Sequence, residues 1–134
     1  MMFKKVGAVI LLVSDMDRSI EFYMNVLELE MKSRTKEWTE FIKDGTVLAL
    51  HPTKFKDLRK DGVLIAFKVS NLDDFYKKVK SKKVKFVQEP TEEAFGKYAI
   101  IEDPDGYRIS IVEMKLKEAE EMKPAPGYYG FTPV

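Results

Sequence analysis

Val13-Ser14-Asp15-Met16-Asp17 returns later in the chain as Val69-Ser70-Asn71-Leu72-Asp73. Each copy closes an apolar run, residues 8–13 and 64–69, the second broken only by Lys68. Each then opens a helical pattern. Met16, Ile20, Tyr23 and Leu27 fall on one stripe, and Leu72, Phe75, Tyr76 and Val79 on another. Ser14 or Asp15, and Ser70 or Asn71, supply side-chain oxygens for the unpaired amides of a first helical turn. Asp17, Asp73 and Asp74 suit the positive end of a helix. The two stretches therefore predict a strand followed by a helix, twice.

The two halves also end alike. Asp44-Gly45-Thr46-Val47-Leu48-Ala49-Leu50 matches Asp105-Gly106-Tyr107-Arg108-Ile109-Ser110-Ile111. Asp-Gly between extended apolar runs signals a hairpin, because glycine accepts the positive φ of a tight turn. Each half reads βαβββ. The predicted class is α+β: two repeated βαβββ units whose curved mixed sheets form a cup with the helices outside. One domain is expected over residues 1–123, with repeat one at about 3–51, a linker at 52–62 and repeat two at about 63–114. A tail rich in Pro, Gly and aromatics follows at 124–134.

Composition removes several functions. The 134 residues carry 23 Lys+Arg against 22 Asp+Glu, a net charge of +1, so no overall basic field selects nucleic acid. Lys77-Lys78, Lys80, Lys82-Lys83 and Lys85 cluster, but without interleaved stacking aromatics they read as the solvated face and end of a short helix. With no cysteine and one histidine, thiolate sites and two-histidine metal sites are excluded within one chain. The scattered glycines form neither a phosphate loop nor a dinucleotide fingerprint. The amino-terminal apolar run is short and leads into Ser14-Asp15 rather than a cleavage site, so a buried strand is expected there, in a cytoplasmic protein. No run approaches the ~18 apolar residues of a membrane span. The abundance of charge, mostly lysine on the positive side, is a composition shared with heat-adapted proteins.

The segment Val13-Ser14-Asp15-Met16-Asp17-Arg18-Ser19-Ile20-Glu21-Phe22-Tyr23 and the ending Glu102-Asp103-Pro104-Asp105-Gly106-Tyr107-Arg108-Ile109-Ser110-Ile111-Val112-Glu113 resemble the vicinal oxygen chelate superfamily. That group includes glyoxalase I, bleomycin-binding proteins and extradiol dioxygenases. The resemblance covers residues 3–115 and speaks for the fold rather than for a reaction. It implies a divalent metal held by His, Glu or Gln at symmetric places in the repeats. Seven residues before Asp15 stands Ala8, and seven before Asn71 stands Leu64. Four residues past Gly45 stands Ala49, and four past Gly106 stands Ser110. Three of these have no donor atom and the fourth only a neutral hydroxyl, so no metal and no cofactor are expected. The resemblance also implies a homodimer.

Strand alternation supplies the rest of the inner surface. A two-residue Asp44-Gly45 turn makes Ala49 oppose Glu40, Val47 oppose Ile42 and His51 oppose Trp38, and opposed residues share a face. Ile10, Leu12, Ala66, Lys68, Arg108 and Val112 follow in phase with the former ligand positions. The phase of residues 98–102 depends on how many residues turn at Asp103-Pro104-Asp105-Gly106. Val9, Leu11, Val13, Ile65, Phe67, Val69, Ile109 and Ile111 form the outer set that meets the helices.

Candidate ligand-binding residues are Trp38, Glu40, His51, Lys68, Arg108 and Ser110; the weak catalytic candidates are Glu40 and His51. Each has a plain alternative. His51 suits a strand-end side chain bonded to a backbone carbonyl, Lys68 and Arg108 suit stems lying along a wall with charges in water, and Glu40 suits a partner for either cation. Three functions stay open. One is a metal-free protein that sequesters a small organic ligand, apolar or aromatic and with room for an anionic group. The second is a glyoxalase- or dioxygenase-like lyase or isomerase using a relocated metal or Glu40 and His51. The third is an interaction module with a filled cup. No nucleic acid or membrane partner is expected.

Overall fold

Alternating apolar residues and paired turn signals build the same arrangement twice. A computed structural model describes residues 2, 6–42, 45–54, 60 and 62–115. They belong to two compact units, Met1–Leu58 and Arg59–Val134. The first unit runs β1 (Ala8–Val13), α1 (Met16–Glu21) continued by a π-helical turn (Phe22–Val26), β2 (Met31–Arg34), β3 (Thr39–Phe41) and β4 (Val47–Pro52). The second runs β5 (Leu64–Lys68), α2 (Leu72–Val79) with a 3-10 turn (Lys80–Lys82), β6 (Lys85–Glu93), β7 (Gly96–Glu102) and β8 (Arg108–Met114). The sheet orders are β1-β4-β3-β2 and β5-β8-β7-β6. In both, the first strand lies parallel to the last and the other pairs are antiparallel. The α+β class and the βαβββ repeat are thus both present. Among the described residues no helix is long and apolar enough to cross a membrane. The tail at 124–134 lies outside the described residues.

Asp15 and Asn71 take the capping role. Their Oδ1 atoms accept from the amides of Arg18 at 3.1 Å and Asp74 at 3.0 Å. Both sit in extended backbone, where the side chain can turn back onto the first turn. Ser14 instead accepts from the Arg18 guanidinium at 2.9 Å. A second cap on α2 comes from the sheet: the Leu72 amide donates to Glu113 Oε1 at 2.8 Å.

The helices decide which sheet face is core. Thr39 Oγ1 donates to Met16 Sδ at 3.5 Å, and the Phe41 ring lies 6.0 Å from Tyr23. Their strand partners Leu50 and Leu48 share that face, with Leu11 beside them. Val13, Tyr23, Phe41 and Leu50 are fully buried there. Removing each such side chain from water contributes about 1.5–3 kcal/mol before the entropic cost of ordering it. In the second unit Tyr76 packs edge-on against Phe86 at 5.1 Å, and Ile101, which pairs with Phe86, is fully buried with Ile109.

The first hairpin keeps the expected register, Phe41 against Leu48 and Glu40 against Ala49; Asp44 lies outside the described residues. One expectation fails. Ile42 has φ +77 and donates its amide to the Glu30 carbonyl at 3.0 Å, so the strand ends at Phe41 and Ile42 does not extend the row of Trp38 and Glu40. A positive φ turns the chain out of the pleat, and alternation no longer applies beyond it.

Gly96 opens β7 at φ +147, where an added Cβ would stand 2.0 Å from the Glu113 carbonyl oxygen and 2.8 Å from the Lys115 nitrogen. Both contacts are backbone and cannot swing aside. Gly96→Ala is expected to cost about 3 kcal/mol or more, from strain and overpacking together. Gly62→Ala, with nothing within 4 Å, should stay within about 0.5 kcal/mol. Urea unfolding of both variants checks the contrast.

Candidate functional site

In the first unit the face away from α1 is set by the same register. Ile10 pairs with Ala49, Ala49 with Glu40, and Glu40 with Ser33, whose hydroxyl donates to Glu40 Oε2 at 3.3 Å. Leu12 pairs with His51 in the next row. The His51 and Trp38 rings meet edge-to-face, with centroids 6.0 Å apart and planes at 82°. Trp38 is held at its backbone by a tight turn, its carbonyl accepting from the Thr35 amide at 2.7 Å. His51 Nδ1 lies 2.8 Å from the Pro52 carbonyl oxygen. A carbonyl only accepts, so Nδ1 carries the proton, and in the neutral ring Nε2 is the acceptor. Trp38, Glu40 and His51 therefore share one face, on adjacent rows, with Ser33 beside Glu40 and Ile10, Leu12 and Ala49 as its hydrocarbon.

In the second unit the loop after β7 resolves what the sequence leaves open. Gly106 donates its amide to the Asp103 carbonyl and Asp103 donates its own to the Tyr107 carbonyl, both at 2.9 Å. The hairpin loop is three residues, Pro104, Asp105 and Gly106, with Gly106 at φ +91. Asp103 is 5% exposed, and its Oδ1 accepts from the amides of Asp105 at 2.9 Å and Tyr107 at 2.8 Å. Glu102 then pairs with Arg108, Ile100 with Ser110 and Tyr98 with Val112. Lys68 joins Val112, and Ala66 joins Ser110, from the parallel strand. Glu113 and Lys97 point the other way, toward α2: Glu113 bonds Leu72, and Lys97 Nζ bonds Asp73 at 3.0 Å. On the helix-free face Ser110 is fully buried, Arg108 is exposed, and Glu102 pairs with Lys85 at 3.3 Å. The pKa of Lys97 is raised by its bond to Asp73, and that of the Tyr76 phenol is raised by its bond to Glu89.

The family model for the Glyoxalase/Bleomycin resistance protein/Dioxygenase superfamily matches residues 5–111. The chain belongs to that superfamily. Within the superfamily it is similar to the metallothiol transferase FosB of Staphylococcus saprophyticus, 25% identical over 138 residues, covering 96% of this chain and 91% of that protein. A crystal structure of a superfamily member from Sphaerobacter thermophilus has a TM-score of 0.67 at 25% identity, covering 84% of this chain and 99% of that one. A glyoxalase-related enzyme from Fulvimarina pelagi shares the fold with a TM-score of 0.70 at 17% identity, covering 83% and 88%.

The superfamily resemblance puts its metal ligands at residues 8, 49, 64 and 110. Ala8 pairs with Val47 and Leu64 with Arg108, while Ala49 and Ser110 occupy equivalent central positions and are fully buried. Three hydrocarbon side chains and one hydroxyl do not fit a divalent cation. Among the described residues no three His, Cys, Asp or Glu side chains come together as a metal site. Glu40 and His51 share a face, but two donors fall short of the three that a catalytic site usually takes from protein.

Sequence reasoning placed Glu40 opposite Ala49 and missed Glu113 and Asp103, which set the helix start and the loop geometry. For Asp103 a signal existed, an Asp before Pro-Asp-Gly at the start of a turn. Asp103→Ala removes an acceptor of two backbone amides and is expected to cost about 2–4 kcal/mol, since bonds to charged groups contribute about 1.5–3 kcal/mol each and water recovers part. Asp103→Asn should recover more than half of that loss in thermal or urea unfolding.

Proposed function

We propose that this superfamily member binds and sequesters a small organic molecule, apolar or aromatic, on its helix-free sheet faces, without a resident divalent metal. The observation that carries the reading is the set Ala8, Ala49, Leu64 and Ser110 at the positions where the superfamily resemblance puts cation ligands. The side chains assigned to the ligand are Trp38, Glu40 and His51 in the first unit and, on the second unit's own sheet face, Lys68, Arg108 and Ser110. Affinity comes from apolar surface removed from water, about 25 cal/mol per Å² before the costs of association. Charged tethers choose the orientation. The proposal includes a homodimer in the cytoplasm, with no nucleic acid or membrane partner.

A second reading, an enzyme, draws on the similarity to a metallothiol transferase and on His51. With Nδ1 bonded to Pro52, its Nε2 is an oriented acceptor, and Glu40 lies on the neighbouring row. That pair could move a proton only to a substrate within hydrogen-bond reach.

The test is a thermal-shift screen of the full chain against aromatic and amphipathic compounds. A ligand at a hundred times its Kd stabilises by about 2.7 kcal/mol, several degrees in Tm. The shift is expected to fall to under a third in Trp38→Ala for a ligand held by the first unit, and in Arg108→Ala for one held by the second. Elemental analysis of untagged protein should find Zn, Ni, Mn and Fe well below one per chain. A stoichiometric metal whose removal abolishes an activity would overturn the sequestration reading.

A further inference from the structure

Among the described residues, the strand pairings place one carboxylate, Glu40, on the helix-free face of the first unit. Glu40 is half-buried beside Ala49 and one row from the Trp38–His51 ring pair. Its side-chain contact is the Ser33 hydroxyl at 3.3 Å, on Oε2 alone. Among the described residues no lysine or arginine forms an ion pair with it. Arg34, next along β2 from Ser33, is bonded to Asp17 instead. A carboxylate has about four acceptor sites, so one long hydroxyl contact leaves most of Glu40 unused. Ile10, Leu12 and Ala49 around it offer no donor. Partial removal from water strengthens what an incoming positive charge would gain there. The two rings add surface for a flat group, and the faces of tryptophan attract cations rather than anions.

We infer that this face is a receptor for an organic cation bearing a flat ring, its charge on Glu40 and its ring against Trp38 and His51. The inference rests on the sequestration reading above and gives it a charge and a shape. It assigns Glu40 to ligand selection, where the sequence alone leaves open a structural role as partner to Lys68 or Arg108. An anionic aromatic is the disfavoured ligand, since Glu40 would repel it.

The experiment is calorimetric titration of the full chain with three probes of similar size: N-methylquinolinium, neutral β-naphthol and anionic β-naphthoate. Trp38, the chain's single tryptophan, reports the same binding by fluorescence. N-methylquinolinium is expected to bind at least tenfold tighter than β-naphthol and to quench Trp38. Glu40→Gln, which keeps the shape and the acceptor for Ser33, should remove that preference while holding the β-naphthol affinity within twofold. A preference that survives Glu40→Gln, or tighter binding of β-naphthoate, would overturn the cation inference and leave sequestration standing. If all three probes fail to bind and the thermal-shift screen is also blank, the sequestration reading falls and takes this one with it.

Discussion

The first and last strands of each repeat lie side by side in the same direction, and that pairing fixes every inward and outward choice in the unit. Leu11 aligns with Leu50 and Ile10 with Ala49; Ile65 aligns with Ile109 and Ala66 with Ser110. Side chains alternate with a period of two, so a slip of one residue would carry the whole core set to the other face. The slip is opposed because Phe41, Leu48, Leu50, Ile101 and Ile109 are nearly or fully buried on the helix side. Exposing them would forfeit free energy comparable to the whole net stability of a domain of this size. Which residues lie on the face away from the helices is thus set by what the opposite face must bury.

Helix placement follows from the same constraint with polar help. Asn71 and Glu113 together satisfy two of the amides at the start of α2, one from the chain just before it and one from a strand 41 residues away. The second bond ties helix to sheet through a charged acceptor, which is stronger than a neutral one. Lys97 with Asp73 adds an exposed link on the same side, worth little by itself. On the face away from the helices, Glu40 is bonded to Ser33, His51 to the Pro52 carbonyl and Glu102 to Lys85. Among the described residues, the pairings put Glu40, His51 and Ser33 on that face in the first unit, and Lys68, Lys85, Gln88, Tyr98, Glu102, Arg108 and Ser110 in the second.

Much of the candidate site was legible because a strand's register propagates. Counting Asp44-Gly45 in the sequence as a two-residue turn puts Glu40 opposite Ala49 and Trp38 near His51, where the ladder and the ring contact have them. The edge-to-face meeting of those rings depends on rotamers and was not legible. Nor was the Pro52 carbonyl as the partner of His51 Nδ1 among the carbonyls a strand end offers. Ile42 was misplaced for a local reason: its positive φ breaks the pleat, and a β-branched residue gives no warning of that conformation. The second hairpin could not be counted because loops of two, three and four residues share the Asp-Pro-Asp-Gly pattern. The buried Asp103 carboxylate chose among them by binding two amides.

The sequence by itself determined the repeat, the order of strands and helices, the caps within one residue, and the hydrocarbon at three of the four positions where the resemblance expects cation ligands. These properties depend on residue identity and on preferences acting over a few neighbours, so they can be read without a fold. Tertiary structure decided the loop length at Asp103, the end of β3, the Glu113 cap and the availability of the Glu40 carboxylate. Each of these turns on groups distant in sequence competing for the same amide, carbonyl or charge, and only the assembled sheet says which of them are near enough to compete.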